Sequence, residues 1–407
     1  MKPYGSLSDF FGQQALRNKT SVHYSDGTGV QTHPFQELHE ISLKVAHFLQ
    51  MKQIKRGEPV ALMMKNRPEW LAIYMGIIHA GGCALLLDIH LSDLEVDNLI
   101  RDSRARIFFT ERSIFRRIHS SGIIRKVEKF VIVDAQINYL SKCIPFESIV
   151  RQAEKLDPLP CQGEDRASLI YTSGTTAKPK GVVLKHKNLL SQLVISEMLG
   201  LKEKDKVLMI LPLNHAYAFS ACFLTPLCQG ADVYILDSLK LTELAAFIRE
   251  HRLTALVLVP ALLSQFYKNI MEKLQFMPNS AQALFHSLKS IDTVSRSGSH
   301  LLEMKRRLFR KVHEAFGGSI RYIISGAAGL DEEIVRTFNT LGMPVYEGYG
   351  LTETSPVVTF NFPHRSRPGS VGCPLPNVQL KVLASSDGGG GEIAVKGDPV
   401  FDGYFGT

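Results

Sequence analysis

One tryptophan and six cysteines are spread over 407 residues. None of the cysteines stands in a Cys-x-x-Cys pair or has a histidine nearby at zinc-ligand spacing, which argues against a structural zinc site and a dithiol redox centre. Cys83, Cys143, Cys161, Cys222, Cys228 and Cys373 therefore read as free thiols, buried in a reducing compartment. No apolar run reaches the length of a membrane span. The longest candidates, 255–263 and the glycine-broken 77–87, have the size of buried strands or helix faces. The start, Met1-Lys-Pro-Tyr-Gly-Ser6, lacks the apolar core of a signal peptide, and a cytoplasmic location is the default expectation. The pattern Gly-x-x-x-x-Gly-Lys-Ser/Thr is also missing, which argues against an ordinary P-loop NTPase.

What is present has the balance of a soluble globular protein, with 45% hydrophobic and 21% charged residues. A net charge of +8 suits an anionic substrate or an anionic membrane surface without choosing between them. The length allows one large domain or two to three smaller units. Residues 1–164 alternate between helical and strand-like segments. A helix is expected over 35–50 and strands over 59–64, 107–110 and 130–134, with a helix opening at Asn66-Arg-Pro-Glu69. Residues 165–345 repeat that rhythm. Strands are expected at 167–172, 206–211, 232–236, 255–259 and 321–325, helices at 242–252 and 301–316, and surface loops at 278–282 and 295–300. Such βα alternation predicts α/β units with mostly parallel, helix-flanked sheets. From 346 to 407 proline and glycine multiply. Segments 378–383 and 392–396 flank a Ser-Asp-Gly-rich turn and read as a hairpin in a small antiparallel barrel.

The most informative stretch is Tyr171-Thr-Ser-Gly-Thr-Thr-Ala-Lys-Pro-Lys-Gly-Val-Val-Leu184. It gathers hydroxyls, glycines and lysines in one short loop between apolar flanks. Such a loop offers backbone N–H groups, hydroxyl donors and positive charge, which is what a polyphosphate requires. A solvent-exposed turn of chance composition is the bland alternative. Three more segments follow in order: Leu211-Pro-Leu-Asn-His-Ala-Tyr-Ala-Phe219, Ser325-Gly-Ala-Ala-Gly-Leu330 and Tyr346-Glu-Gly-Tyr-Gly-Leu-Thr-Glu-Thr354. Taken together, and with Arg56 to Trp70 and Gly391 to Tyr404, they resemble the adenylate-forming (AMP-binding) enzymes over essentially the whole chain. The likeness is greatest to the long-chain fatty acyl-CoA synthetases.

That resemblance implies roles residue by residue. Thr172, Ser173, Gly174, Thr175, Thr176 and Lys180 would contact the phosphates of ATP. Ala177 stands where the family has glycine, and alanine resists positive φ. His215 and Tyr217 would border the acyl pocket. Gly326, Ala327 and Ala328, with Glu347, Gly348 and Tyr349, would lie against adenine. Thr352 would reach the α-phosphate, and Glu353 would supply an oxygen ligand to Mg²⁺. His215, Thr352 and Glu353 are the catalytic candidates. The expected activity is ATP-dependent activation of a fatty acid, medium or long in chain, to acyl-AMP, with coenzyme A as the acceptor. A carrier-protein ligase, an acyl-AMP ligase, a luciferase-type oxygenase and a non-catalytic nucleotide- or fatty-acid-binding protein are the alternatives.

The family continues with a Thr-Gly-Asp segment and a mobile C-terminal domain carrying a lysine; neither motif occurs in residues 1–407, so binding with poor turnover is expected. An aspartate that would hold a substrate ammonium is not found in 211–220, which favours a plain acyl chain. Lys305, Arg306, Arg307, Arg310 and Lys311 would share one helix with Leu301, Leu308, Val312 and Phe316. That helix is either a membrane-docking face or, more simply, the solvated side of a core helix. The expected partners are small molecules, with a carrier protein or peripheral membrane contact as options and no nucleic acid.

Overall fold

The computed structural model describes the chain except residues 1–3, 120–125, 136–140, 153, 155–156, 173–178, 277, 291–298, 364, 385–389 and 407. Three sheets organise it. A seven-stranded sheet runs, in spatial order, through Cys143–Pro145, Lys129–Val133, Ile107–Glu111, Pro59–Met63, Cys83–Leu86, Arg166–Thr172 and Lys180–Lys185. Its neighbours are parallel except for the last pair, a hairpin. The central strand Pro59–Met63 is buried at every position, the mark of a parallel strand covered on both faces.

A nine-stranded sheet runs through Cys373–Pro374, Val357–Phe360, Val345–Gly350, Tyr322–Ser325, Ala255–Leu258, Lys206–Met209, Asp232–Leu236, Ser21–Ser25 and Val30–Pro34. Its middle is parallel and its two edges are antiparallel. The helix Pro68–His79 is buried at every residue except Glu69, so it lies inside the core rather than on it. Trp70 stacks on Tyr74 at 5.5 Å, the Tyr74 ring meets Phe219 at 4.4 Å, and its hydroxyl meets Ser168 Oγ at 2.9 Å. This layer ties the helix to strand Arg166–Thr172 of the seven-stranded sheet and to the helical turn Ala216–Phe219.

The α/β architecture matches expectation, but four details differ. First, Val378–Ala384 and Gly391–Gly397 form a two-stranded antiparallel sheet, and no barrel closes among the described residues. Second, the boundaries at 164 and 345 cut across the sheets. Arg166–Thr172 pairs with Cys83–Leu86, Ser21–Ser25 pairs with Asp232–Leu236, and Val345–Gly350 continues the nine-stranded sheet. Third, the expected loop at 278–282 opens a helix, Asn279–Ser290; of the loop expected at 295–300, residues 295–298 lie outside the described residues and Ser299 opens the next helix. Fourth, the basic segment is two helices, Ser299–Leu308 and Arg310–Ala315, and it is not uniformly solvated. Lys305 is buried with Nζ donating to the Asn339 carbonyl at 3.2 Å, and Arg306 donates to the carbonyls of Gly342, Ile320 and Arg321. These two cations bind the chain itself, which leaves Arg307, Arg310 and Lys311 exposed. No helix among the described residues is long and apolar enough to cross a membrane.

Candidate active site

The phosphate-loop stretch begins and ends in one hairpin. Thr172 is the register partner of Lys180, and Tyr171 of Gly181. Ser173, Gly174, Thr175, Thr176 and Ala177 lie outside the described residues. Thr172 and Lys180 form the last rung of that ladder. The Tyr171 hydroxyl donates to Asp102, and burial pushes the phenol well above its ordinary value.

The segment before His215 is fixed from the other sheet. Asn66 donates its amide to the Leu211 carbonyl at 2.7 Å and accepts from the Leu213 N–H at 3.0 Å. His215 precedes the helical turn Ala216–Phe219, and its Nε2 lies 3.9 Å from Asp88 Oδ2. The helix then widens into a π-turn, Ser220–Leu224, before continuing as Thr225–Gln229. Such turns release a backbone carbonyl. Here Thr225 Oγ1 donates to Ser220 O at 2.7 Å, and Ser220 Oγ donates to Ser355 O at 3.2 Å.

One close approach needs glycine and a second is tight. A Cβ on Gly326 would sit 3.2 Å from the Tyr217 ring, and one on Gly350 would sit 1.7 Å from the Pro356 carbonyl oxygen. Ala327 adopts φ +72°, a left-handed conformation that favours glycine. Strand Val345–Gly350 shifts register against Val357–Phe360 between Tyr349 and Gly350. Such irregularities re-aim side chains beside functional sites. Thr352–Thr354 follows as a short 3-10 turn.

These elements meet around one cavity of about 830 Å³. Thr172, His215, Tyr217, Gly326, Ala327, Gly348, Tyr349, Thr352 and Glu353 all line it. Ile195, Leu199, Ile210, Leu211, Leu262 and Phe360 give it an apolar wall. The Tyr217 hydroxyl donates to the Leu258 carbonyl at 3.3 Å, and burial holds this phenol far above its usual range. Three expected residues do not reach the cavity lining. Ala328 is exposed and Glu347 is buried, both outside the lining, and Lys180 has its Nζ 5.1 Å from the Tyr404 ring centre. Sequence reasoning missed Asn66, Asp88 and the apolar residues Ile195 and Leu199. The segment ending at Tyr404, given no site role from the sequence, also reaches this site: the Tyr404 hydroxyl donates to Glu353 Oε1 at 3.1 Å.

No cluster of three histidine, cysteine or carboxylate side chains suited to a metal occurs among the described residues. Glu353 is the one carboxylate among the lining residues. Mg²⁺ fits such a site as an ion shared between one carboxylate and substrate phosphates, which is its common mode. The wall, the hydroxyls and this single carboxylate give the cleft an apolar side and a polar side.

Residues 11–405 match the AMP-binding enzyme family, and the chain belongs to it. Over 399 residues it is 25% identical to 4-coumarate–CoA ligase 3 of Arabidopsis thaliana, covering 93% of this chain and 63% of that protein. Over 438 residues it is 26% identical to the long-chain-fatty-acid–CoA ligase of Bacillus subtilis, covering 96% and 70%. In fold it resembles the crystal structure of the N-terminal domain of FACL13 from Mycobacterium tuberculosis, with a TM-score of 0.77 at 20% identity. That likeness covers 99% of this chain and 92% of the other.

Proposed function

We propose that this chain binds ATP and a carboxylic acid with an apolar tail and joins them as an acyl-adenylate, whose acyl group passes to the thiol of coenzyme A. A carboxylate oxygen attacks the α-phosphorus, the α–β anhydride bond breaks and pyrophosphate leaves. The thiolate then attacks the acyl carbonyl, and AMP departs. The observation that carries this reading is the convergence of Thr172, His215, Tyr349, Thr352 and Glu353 on one cavity with an apolar wall. Thr352 would donate to the α-phosphate and Tyr349 would offer its ring to adenine. Glu353 would hold Mg²⁺, which when bound neutralises phosphate charge. His215 and Tyr217 would border the acid and keep it within reach of the phosphorus.

An acyl chain of medium or long length fits the wall best. The hydroxyls of Tyr217, Ser220 and Thr225 already donate to protein carbonyls. No lining carboxylate other than Glu353 is there to pair with an ammonium. An aromatic acid is the second reading, favoured by the match to 4-coumarate–CoA ligases. A carrier-protein thiol is the alternative acceptor; release of the acyl-adenylate itself, or a purely binding role, is the alternative outcome.

Calorimetry with Mg·ATP, followed by thermal-shift assays adding decanoate, palmitate or 4-coumarate, tests this on binding. Mg·ATP uptake with further stabilisation by the fatty acids is expected, growing with ligand concentration. Failure to bind Mg·ATP ends the proposal; stabilisation by 4-coumarate alone moves the acid to the aromatic class.

A further inference from the structure

Residues 398–405 cross from the Glu353 turn to the phosphate-loop hairpin. The Phe401 N–H donates to the Glu353 carbonyl at 2.9 Å, and Ser355 Oγ donates to the Pro399 carbonyl at 2.8 Å. At the other end Tyr404 pairs with Val182 in an antiparallel bridge, and the Phe405 N–H donates to the Gly181 carbonyl at 2.7 Å. Asn188, just after the hairpin, donates to the carbonyls of Asp398 and Val400, and Lys185 pairs with Asp402. The hairpin belongs to the seven-stranded sheet, whereas the Glu353 turn lies between two strands of the nine-stranded sheet. Tyr404 is the side chain that touches the functional group of each. Its hydroxyl donates to Glu353 Oε1 at 3.1 Å, and its ring carries the Lys180 ammonium at 5.1 Å.

We propose that Tyr404 is a positioning residue that links the Glu353 carboxylate to the phosphate-loop lysine, and so couples divalent-cation binding to nucleotide binding. This rests on the nucleotide-binding role proposed above. A carboxylate with one oxygen held by a hydroxyl has a fixed orientation, ready for an ion whose other ligands arrive with the phosphates. Without the hydroxyl the carboxylate must be ordered when Mg²⁺ enters, and the ion gains less from it.

The test compares ATP affinity with Mg²⁺ and with EDTA in the whole chain, by calorimetry. In Tyr404→Phe the ring stays beneath Lys180, so ATP affinity in EDTA is expected to change less than twofold. The Mg²⁺-dependent gain in affinity is expected to fall about tenfold, the scale of a hydrogen bond to a charged group. Glu353→Gln, with Tyr404 intact, is expected to lose the same gain, and the double variant to lose little more. A merely structural tyrosine would lower both affinities together and leave their ratio intact; that result, or an unchanged ratio in Glu353→Gln, overturns the proposal. A wild-type chain that binds no Mg·ATP instead removes the parent reading. A wild-type gain that survives in Tyr404→Phe removes this one alone.

Discussion

Glu347 shows how a single side chain can carry an energetic load next to a site without lining it. Only 7% of the residue is exposed, and its Oε2 has no hydrogen-bond partner within the protein. Burial pushes the carboxyl from its ordinary 4.5 up to about 7, the Glu332 charge adds to this, and a hydrogen bond from the Leu330 backbone opposes it. Between those two pH values the folded chain holds a proton that the unfolded chain has released. Stability from this group therefore falls as pH rises through that window, and the full penalty applies above it. Glu347→Gln keeps the shape and removes the charge. We expect it to stabilise the fold by about 2 kcal/mol at pH 8 and by much less at pH 5. Urea unfolding at both pH values checks this; an equal gain at the two would mean that ionisation is not the cause.

At the scale of elements, the N-terminal helix Leu7–Arg17 is tied down by chemistry that titrates. Its start is capped by Ser6, whose Oγ accepts from the Asp9 N–H at 3.1 Å, and its end by Asn18 in the left-handed region. Beyond its apolar face, two histidines hold it. The Leu7 N–H donates to His186 Nδ1 at 3.0 Å, and Ser8 Oγ meets His79 Nδ1 at 2.8 Å. Burial lowers both rings, His186 from 6.5 to about 4 and His79 well below 6.5. The unfolded chain takes up these protons at the higher value. The stability tied to neutral imidazole is thus complete above 6.5 and declines as pH drops below it. Hydrogen exchange across 7–17, corrected for intrinsic rates, is expected to accelerate between pH 7 and pH 5 before the rest of the core does. His186→Asn keeps an acceptor without a titration, so it should flatten that response. An equal acceleration in the variant would place the cause elsewhere.

Elements with a local signature were legible. Arg67-Pro-Glu-Trp70 marks the start of the helix Pro68–His79, and 35–50 differs from the observed Phe35–Met51 by one residue. The helix Asn279–Ser290 was misread because Pro278-Asn-Ser looks like a turn, although the same residues open helices. Thr172, Tyr349, Thr352 and Glu353, which line the cavity, stand out in the sequence because each lies in a distinctive run of neighbours. Asn66 and Tyr404 do not, since each acquires its role from a partner 145 or 51 residues away.

At the scale of the whole molecule, which sheet a strand joins is set by contacts that no local pattern records. The hairpin Ser21–Ser25 and Val30–Pro34 reads as the start of the first unit, yet it closes the far edge of the nine-stranded sheet. In return, Arg166–Thr172 brings the phosphate-loop hairpin into the seven-stranded one. One apolar core runs through both, from Leu7 to Val378, and a second covers the other face of the seven-stranded sheet. The cleft therefore depends on two sheets that cannot be separated by cutting the chain. A fragment of residues 165–345 would leave Asp232–Leu236 without Ser21–Ser25, Tyr322–Ser325 without Val345–Gly350, and Arg166–Thr172 without Cys83–Leu86. Open edges of this kind invite pairing between molecules. We expect that fragment to show no cooperative melt by circular dichroism and to elute as aggregate, while residues 1–407 unfold in one transition. A fragment that melted cooperatively as a monomer would show that the nine-stranded sheet is stable without its borrowed edges. The convergence of Thr172 and Glu353 would then be a docking of two independent units rather than a property of one core.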